Sequence, residues 1–254
     1  SPLGRRVTNE VRQHGVEPRV TWVDEARQGV YYIEEGSTPR GTTVIYDRAD
    51  AAITTATPSE IDEGAIGDAD VFYISGITPA LSPTLAETTA DLLAAARQAG
   101  TTTAFDLNYR SKLWSPEEAK QQCESLFPDV DILIAAERDV NAVLDRDGAA
   151  RTLATELAAE FDFETVIITR GEHGALAAHD GTTYEQAAFE TDTVDAIGTG
   201  DAFVGAYLAR RIAGDDISDA LSYAAATAAL KRTIEGDLAV VTPDEVGQVL
   251  EHGR

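Results

Sequence analysis

The segment Asp195–Phe203 carries two closely spaced glycines followed directly by a carboxylate, Asp201. Gly198 and Gly200 allow a tight turn in which successive backbone N–H groups point at one anion. A helix is predicted from Asp201 to Ile212, and the positive end of its dipole adds to the attraction for phosphate. Asp201 would then be placed to take a proton from a hydroxyl that attacks phosphorus. The alternative is an ordinary turn in which Asp201 only caps the helix.

A second pair of glycines follows a run of β-branched residues. Thr165–Thr169 predicts a strand, and Gly171 and Gly174 predict a tight turn into a second strand. The exposed amides of this turn and the Thr169 hydroxyl suit the phosphates or the ribose of a nucleotide. A glycine-bearing hairpin without a ligand is the alternative.

The elements that must position these two turns alternate between strands and helices from residue 71 onward. Apolar runs such as Val71–Ser75 and Asp131–Ala135 are separated by helical segments, two of which begin at Ser82-Pro83 and Ser115-Pro116. Strands buried on both faces and joined by helices predict an α/β fold with a mainly parallel sheet. The remaining predicted strands are Thr102–Leu107, Ala175–His179 and Thr182–Gln186, and the remaining helices lie near Arg138–Leu144, at Ala149–Phe161 and from Gly200 through Leu230.

The first 55 residues are predicted to be β-rich and to form a small lid. Short runs of β-branched and aromatic residues predict strands at Arg19–Val23, Val30–Glu34 and Thr43–Asp47. The turn between the last two is predicted at Gly36–Gly41. Residues 56–254 would then form the nucleotide-binding and catalytic domain.

The charge balance excludes a nucleic-acid partner. The chain of 254 residues has 20 basic and 44 acidic residues, a net charge of −24, and only three lysines. Phosphate neutralisation would require a basic face. An acidic, lysine-poor surface is typical of a salt-filled cytoplasm, where screening weakens repulsion between carboxylates; an acidic protein from an ordinary cell is the alternative.

No apolar run is long enough for a membrane span, and the single cysteine, Cys123, fits a reducing cytoplasm.

Together these motifs resemble the ribokinase-like, or PfkB, family of carbohydrate kinases. Asp195–Phe203 resembles the family's C-terminal signature, which implies Asp201 as the catalytic base and an anion hole formed by the amides of Gly198, Thr199 and Gly200. The resemblance implies a three-layer α/β/α sandwich with a β-sheet lid, ATP and Mg²⁺ as cofactors, and a homo-oligomer formed through the lid. It also implies that an N-terminal part of the family fold precedes this sequence. The implied nucleotide contacts are Thr169, Arg170, Gly171, Glu172 and Gly174, together with the anion-hole residues and Ala225, which would lie beside adenine.

Within the family, Asp106–Trp114 resembles the Asp-x-Asn-x-Arg segment of kinases that act on 2-keto-3-deoxygluconate. The resemblance implies that Arg110 binds the sugar acid and that Asn108, Tyr109 and Arg110 lie close to the nucleotide. Elementary chemistry agrees, because a guanidinium at the carboxyl end of a parallel strand can bind a carboxylate through two hydrogen bonds. A surface arginine paired with one of the many acids is the alternative.

Four further residues are implied to bind the substrate. Tyr31 and the Tyr46-Asp47-Arg48 segment resemble lid contacts of these kinases, and Asp237 resembles a contact that follows the signature. The alternatives are ordinary strand aromatics, a solvated charge and a turn aspartate. The predicted substrate-binding set is Tyr31, Tyr46, Arg48, Arg110, Asp201 and Asp237.

The implied magnesium site departs from the family pattern. Ala136-Glu137-Arg138-Asp139 stands where the family often has Asn-x-x-Glu. Asp139 could act on magnesium indirectly, through water, but Ala136 cannot replace the asparagine. Family resemblance also implies a monovalent cation, K⁺, near Asp195.

The predicted reaction is transfer of the ATP γ-phosphoryl group to the primary hydroxyl of 2-keto-3-deoxygluconate, giving the 6-phosphate. One alternative is a related kinase of a neutral sugar such as fructose or ribose. Another is a sugar- or nucleotide-binding protein without turnover. The sequence does not distinguish the gluconate-derived acid from the galactonate-derived acid.

Overall fold

A computed structural model describes residues 1–34, 36, 39–41 and 43–253. Two residues of the predicted Gly36–Gly41 turn, Ser37 and Thr38, lie outside the described residues. The main sheet has six strands, which lie in chain order from one edge to the other. They are β3 (Val71–Ser75), β4 (Thr102–Asp106), β5 (Ile132–Ala136), β6 (Thr165–Thr169), β7 (Ala175–His179) and β8 (Thr182–Gln186), and a two-stranded antiparallel sheet contains β1 (Val30–Glu34) and β2 (Thr43–Asp47).

The helices begin at the signals that the sequence provides. Ser82, Ser115 and Thr242 each cap a helix by accepting a backbone N–H three residues later, and each precedes a proline. The described helices are α1 (Pro2–Gln13), α2 (Glu63–Gly67), α3 (Pro83–Ala99), α4 (Pro116–Leu126), α5 (Glu137–Val143), α6 (Ala150–Phe161), α7 (Thr199–Ile212), α8 (Ile217–Lys231) and α9 (Pro243–His252).

The main sheet is mainly parallel and is covered on both faces. Strands β3 to β6 pair in parallel, whereas β7 and β8 add antiparallel strands at one edge. Side chains alternate between the faces: Leu133 packs into the cluster that contains α3 to α6, and its neighbours Ile132 and Ile134 pack into the cluster that contains α7 and α8. The fold is therefore a three-layer α/β/α sandwich, as predicted.

The lid pairs β1 with β2 in an antiparallel register. Tyr31 lies opposite Tyr46, and Tyr32 lies opposite Ile45. Because consecutive residues of a strand point to opposite faces, these two pairs lie on opposite faces of the lid.

The N-terminal region differs from the prediction in two respects. Pro2–Gln13 is a helix, and Arg19–Val23 is not a strand. The helix signal was present in the sequence, since the Ser1 side chain accepts the Gly4 N–H at 3.1 Å and Pro2 occupies the first turn.

The C-terminal helix α9 was also not predicted. No helix among the described residues is both long and apolar enough to cross a membrane.

Candidate active site

The two predicted glycines bend the backbone at the start of α7. Gly198 has φ +78°, and Asp201 lies in the first turn of the helix. The Thr199 N–H donates to the Ala196 carbonyl at 3.3 Å, whereas the N–H groups of Gly198, Gly200 and Asp201 have no acceptor among the described residues. Free N–H groups at a helix start, with the helix dipole behind them, form an anion site.

Gly198 is required at its position for two reasons. Its φ lies in the left-handed region, and a Cβ atom there would lie 2.3 Å from the Asp237 carbonyl oxygen. Gly198→Ala should lower the free energy of unfolding through both causes, and we expect the clash to add about 2 kcal/mol to the loss caused by strain in φ. The substitution should also reduce phosphate binding, because the turn must move. Gly214→Ala is the matched control, since Gly214 has φ +94° with no atom within 4 Å of the added Cβ. Equal destabilisation in both variants, measured by chemical unfolding at fixed salt, would contradict the predicted clash.

Asp106, at the carboxyl end of β4, lies beside Asp201. Burial raises the pKa of Asp106 to about 7; the negative charge of Asp201 adds to the rise, and the positive charge of Arg110 opposes it. Burial and the carboxylates of Asp106 and Asp201 also raise the pKa of Tyr73 on β3. The carboxyl end of β4 and the start of α7 therefore bring the predicted base, the predicted carboxylate-binding arginine and two unpredicted groups, Asp106 and Tyr73, together.

The raised pKa of Asp106 should appear in the pH dependence of stability. A raised pKa means that the folded state holds the proton more tightly than the unfolded state does. The contribution of Asp106 to the free energy of unfolding is therefore fully present below pH 3.8, the ordinary pKa, and is lost as the pH rises through about 7. Asparagine does not titrate, so Asp106→Asn removes this loss. Between about pH 5 and about pH 8, the free energy of unfolding of the variant should therefore rise by about 2 kcal/mol relative to that of the parent protein. Unfolding titrations at fixed salt measure the difference, and a difference that is constant with pH would contradict it.

A cavity of about 430 Å³ lies between the Thr169–Gly174 turn and the start of α7. Thr199 and Gly200 lie at one side, where the free amides are. Small side chains of α8 and the ring of Phe189 form an apolar wall, which suits a flat aromatic base. The lining contains the predicted Thr169, Arg170, Gly171, Gly174, Thr199, Gly200 and Ala225, and also Ala136, Glu137, Arg138, Ala188, Phe189, Phe203, Ala228, Ala229 and Arg232.

Five predicted nucleotide contacts lie outside the lining of this cavity: Asn108, Tyr109, Arg110, Glu172 and Gly198. The Asn108 amide donates to the Ser75 hydroxyl at 3.0 Å, and the Tyr109 hydroxyl donates to the Trp114 carbonyl at 3.1 Å. Both side chains therefore stabilise the loop after β4, and their role at the nucleotide stays a prediction.

The predicted substrate residues of the lid meet the body of the protein. The Tyr31 hydroxyl donates to a carboxylate oxygen of Asp237 at 3.1 Å. The Arg48 guanidinium carbon lies 4.2 Å from the centre of the Tyr46 ring, and the two tyrosine rings are 6.3 Å apart. The backbone of Asp237 in turn packs against Gly198. The four residues therefore form one cluster next to the anion-binding turn.

Arg110 is available for a negatively charged ligand. Its guanidinium makes a 3.5 Å contact with the Tyr109 carbonyl, and in the described part of the chain no carboxylate lies within 4.0 Å of it. In a protein with 44 acidic residues, an arginine without such an ion pair at the carboxyl edge of the sheet suits a substrate carboxylate.

Magnesium would have few protein ligands at this site. Among the described residues no cluster of three or more His, Cys, Asp or Glu side chains could bind a metal ion. Glu137 lines the cavity, and Asp139 is buried with Arg138 3.5 Å from its carboxylate. Burial raises the pKa of Asp139, and Arg138 opposes the rise. Mg²⁺ that arrives with a nucleotide keeps several waters and needs only one or two carboxylates, so Glu137 and Asp139 fit a water-mediated contact.

Sequence reasoning missed several residues of this site. Ala228 and Ala229 could have been found, because they follow Ala225 at helical spacing and so share its face. Asp106 opens the recognised Asp-x-Asn-x-Arg segment but was given no role. Tyr73 had no sequence signal, because an aromatic residue in an apolar strand is ordinarily a packing residue.

Comparisons with known proteins find carbohydrate kinases. A model of the pfkB family of carbohydrate kinases matches residues 1–243. A 2-dehydro-3-deoxygalactonokinase of Haloferax volcanii is 70% identical over 253 residues, covering 100% of this chain and 80% of the relative. A 2-dehydro-3-deoxygluconokinase of Thermoproteus tenax is 28% identical over 257 residues, covering 98% of this chain and 76% of the relative. The crystal structure of a 2-dehydro-3-deoxygluconokinase of Thermotoga maritima has a TM-score of 0.89 and 32% identity, covering 99% of this chain and 81% of that one.

Proposed function

Because the chain belongs to the PfkB family of carbohydrate kinases, we propose that it transfers the γ-phosphoryl group of ATP to the primary hydroxyl of a 2-keto-3-deoxy sugar acid, giving the 6-phosphate. That it is a sugar acid kinase follows from its relatives; the nucleotide, the acid and the residue roles belong to the proposal. The observation that carries these roles is that Asp201 starts α7 beside the N–H groups without an acceptor among the described residues, and that Asp201 and Arg110 both act on the buried Asp106.

Each residue has a defined task in the proposed mechanism. Arg110 holds the substrate carboxylate, and Tyr31 and Asp237 hold hydroxyl groups at the lid. Asp201 accepts the proton of the substrate's primary hydroxyl. At the same time the hydroxyl oxygen forms a bond to the γ-phosphorus, and the bond between that phosphorus and ADP breaks. The amides of Gly198 and Gly200 stabilise the charge on the transferred group.

Kinases of this family use ATP with Mg²⁺. The metal supplies charge neutralisation on the phosphates, and Glu137 and Asp139 would contact it through water. The wall of small side chains on α8 would receive adenine. We place the reaction in the cytoplasm, where ATP is available.

Of the two acids, the galactonate-derived one is favoured by the name of the relative that is 70% identical. The gluconate-derived acid, which the sequence predicts, is the second candidate and is favoured by the Asp106–Trp114 resemblance. The acids differ at one stereocentre but share the carboxylate and the primary hydroxyl. Arg110 and Asp201 would therefore bind either acid in the same way, and selectivity would come from the lid residues.

An assay of ADP release at molar potassium chloride, on the full-length protein, tests the proposal. It compares both keto-deoxy acids with fructose and ribose at several concentrations. Turnover confined to the acids is expected, with the higher kcat/KM for the galactonate-derived one. Preference for a neutral sugar would refute the substrate class. Binding of ATP without turnover on any sugar would instead indicate the non-catalytic alternative, which the Ala136 departure motivates.

We further propose that two copies associate through their lids. Tyr32 and Ile45, the cross-strand pair on the face opposite Tyr31 and Tyr46, are 58% and 48% exposed. Apolar side chains paired on a free sheet face are typical of an interface. Light scattering should give twice the monomer mass, and Tyr32→Asp with Ile45→Asp should give the monomer mass; a monomeric parent protein would contradict the proposal.

A further inference from the structure

Lys231, the last residue of α8, is fully buried. A buried ammonium is costly unless its donors are satisfied. Its Nζ donates to the carbonyl oxygens of Asp195 at 3.3 Å and of Ile234 at 3.1 Å. No carboxylate of the described residues lies within 4.0 Å of it, so backbone oxygens, not an ion pair, hold this charge.

The two carbonyls belong to the two segments that carry the active site. Asp195 begins the segment that leads to the anion-binding turn, and Ile234 precedes the loop that carries Asp237. The Asp195 carboxylate joins the same segments, because it accepts the Ile197 N–H at 2.9 Å and the Gly236 N–H at 3.1 Å. Lys231 and Asp195 therefore fix the anion turn against the loop that presents Asp237.

The monovalent cation expected near Asp195 does not fit this arrangement. K⁺ binds where several carbonyl and carboxylate oxygens converge. Here the Asp195 and Ile234 carbonyls already accept hydrogen bonds from an ammonium, and both oxygens of the Asp195 carboxylate accept backbone N–H groups. A second positive charge beside Nζ would be repelled strongly in a buried site.

We propose that the Lys231 ammonium takes the place of a monovalent cation as a built-in positioning charge behind the anion turn. The inference rests on the proposed phosphate-binding role of the Gly198 and Gly200 amides. It makes phosphate binding and turnover independent of the identity of the monovalent cation in solution. Lys231 is a positioning residue, since it acts on the substrate through the backbone that it holds.

The first test compares the parent protein in potassium chloride and in choline chloride at equal molar concentration, with thermal unfolding recorded in each salt. We expect kcat and the ATP dissociation constant, measured by calorimetric titration, to agree within about twofold, after correction for any unfolded fraction. A selective gain of tenfold or more in ATP affinity with K⁺ would overturn the proposal. Because ATP affinity is read separately from turnover, this test stands even if the proposed sugar substrate is wrong.

The second test removes the ammonium. Lys231→Ala in choline chloride should lose at least tenfold in ATP affinity and in kcat, and ammonium or potassium ions should restore most of the loss, because they can enter the space left by the side chain. A loss that no cation relieves, or no loss at all, would overturn the proposal. Lys120→Ala is the matched control, since Lys120 also donates to a carbonyl, that of Leu144 at 3.4 Å, away from the site. If Lys231→Ala does not fold, the comparison of salts on the parent protein decides alone.

Discussion

Asp201→Asn should lower kcat by about 10³-fold, because a positioned general base contributes about 10²–10⁴-fold to proton transfer. The substitution keeps the size of the side chain and its place in the first turn of α7, but it removes the proton acceptor. ATP affinity should change little, since the free amides of the turn remain. Single-turnover measurement of ADP formation, with calorimetric titration of ATP, separates these two quantities.

Asp244→Asn is the matched control for this prediction. Asp244 also lies in the first turn of a helix, α9, and its side chain is exposed. If loss of a negative charge at a helix start were enough to explain the effect, both variants would lose activity alike. Unchanged kcat in Asp201→Asn would remove the base from the proposed mechanism.

Arg110→Met should raise the KM for the sugar acid by about 10–100-fold while changing kcat less, because a charged hydrogen bond contributes about 1.5–3 kcal/mol. Methionine keeps much of the apolar stem of arginine and removes only the guanidinium. Arg110→Lys should recover part of the loss, since lysine keeps the charge but not the planar pair of donors. Steady-state kinetics on both keto-deoxy acids measures the effect.

Arg97→Met controls for the general loss of a positive charge from an acidic protein. Arg97 donates to the Pro128 carbonyl and lies 3.8 Å from Asp131, which precedes β5, so it is at the opposite end of the parallel strands from the site. It should leave KM unchanged. Were Arg110→Met also to leave KM unchanged, the carboxylate would bind elsewhere and a neutral substrate would become the better hypothesis.

Local signals were sufficient to predict the six strands of the main sheet. Each strand from β3 to β8 lies within one or two residues of a run of apolar or β-branched residues, and Ser-Pro pairs mark the starts of α3 and α4. These signals are local because backbone propensity and capping depend on residues a few positions apart. The N-terminal helix shows that a local signal can be overlooked. α1 has the same kind of Ser-Pro start, but the runs of β-branched residues that follow it led to a prediction of strands for the whole region.

The glycine motifs likewise predicted the turn at α7 and the turn between β6 and β7, since positive φ angles such as that of Gly198 require glycine. The place of Asp201 at a helix start suggested its role as a base, and family resemblance supported that role and supplied the role of Arg110. Both roles remain predictions here.

The contacts between distant segments were decided only by the tertiary structure. Tyr31 and Asp237 are separated by 206 positions, yet they share a hydrogen bond. Asp106 and Tyr73 meet Asp201 because β3 and β4 lie side by side and the start of α7 packs close to them, and Lys231 reaches the Asp195 carbonyl because the end of α8 packs against the segment before the anion turn. Sequence specifies local conformation through short-range propensity, but the burial and the charge environment of a side chain depend on which segments pack around it. For that reason the chain's own sequence predicted the phosphate-binding turn, whereas the charge that holds the turn in place was apparent only in the folded protein.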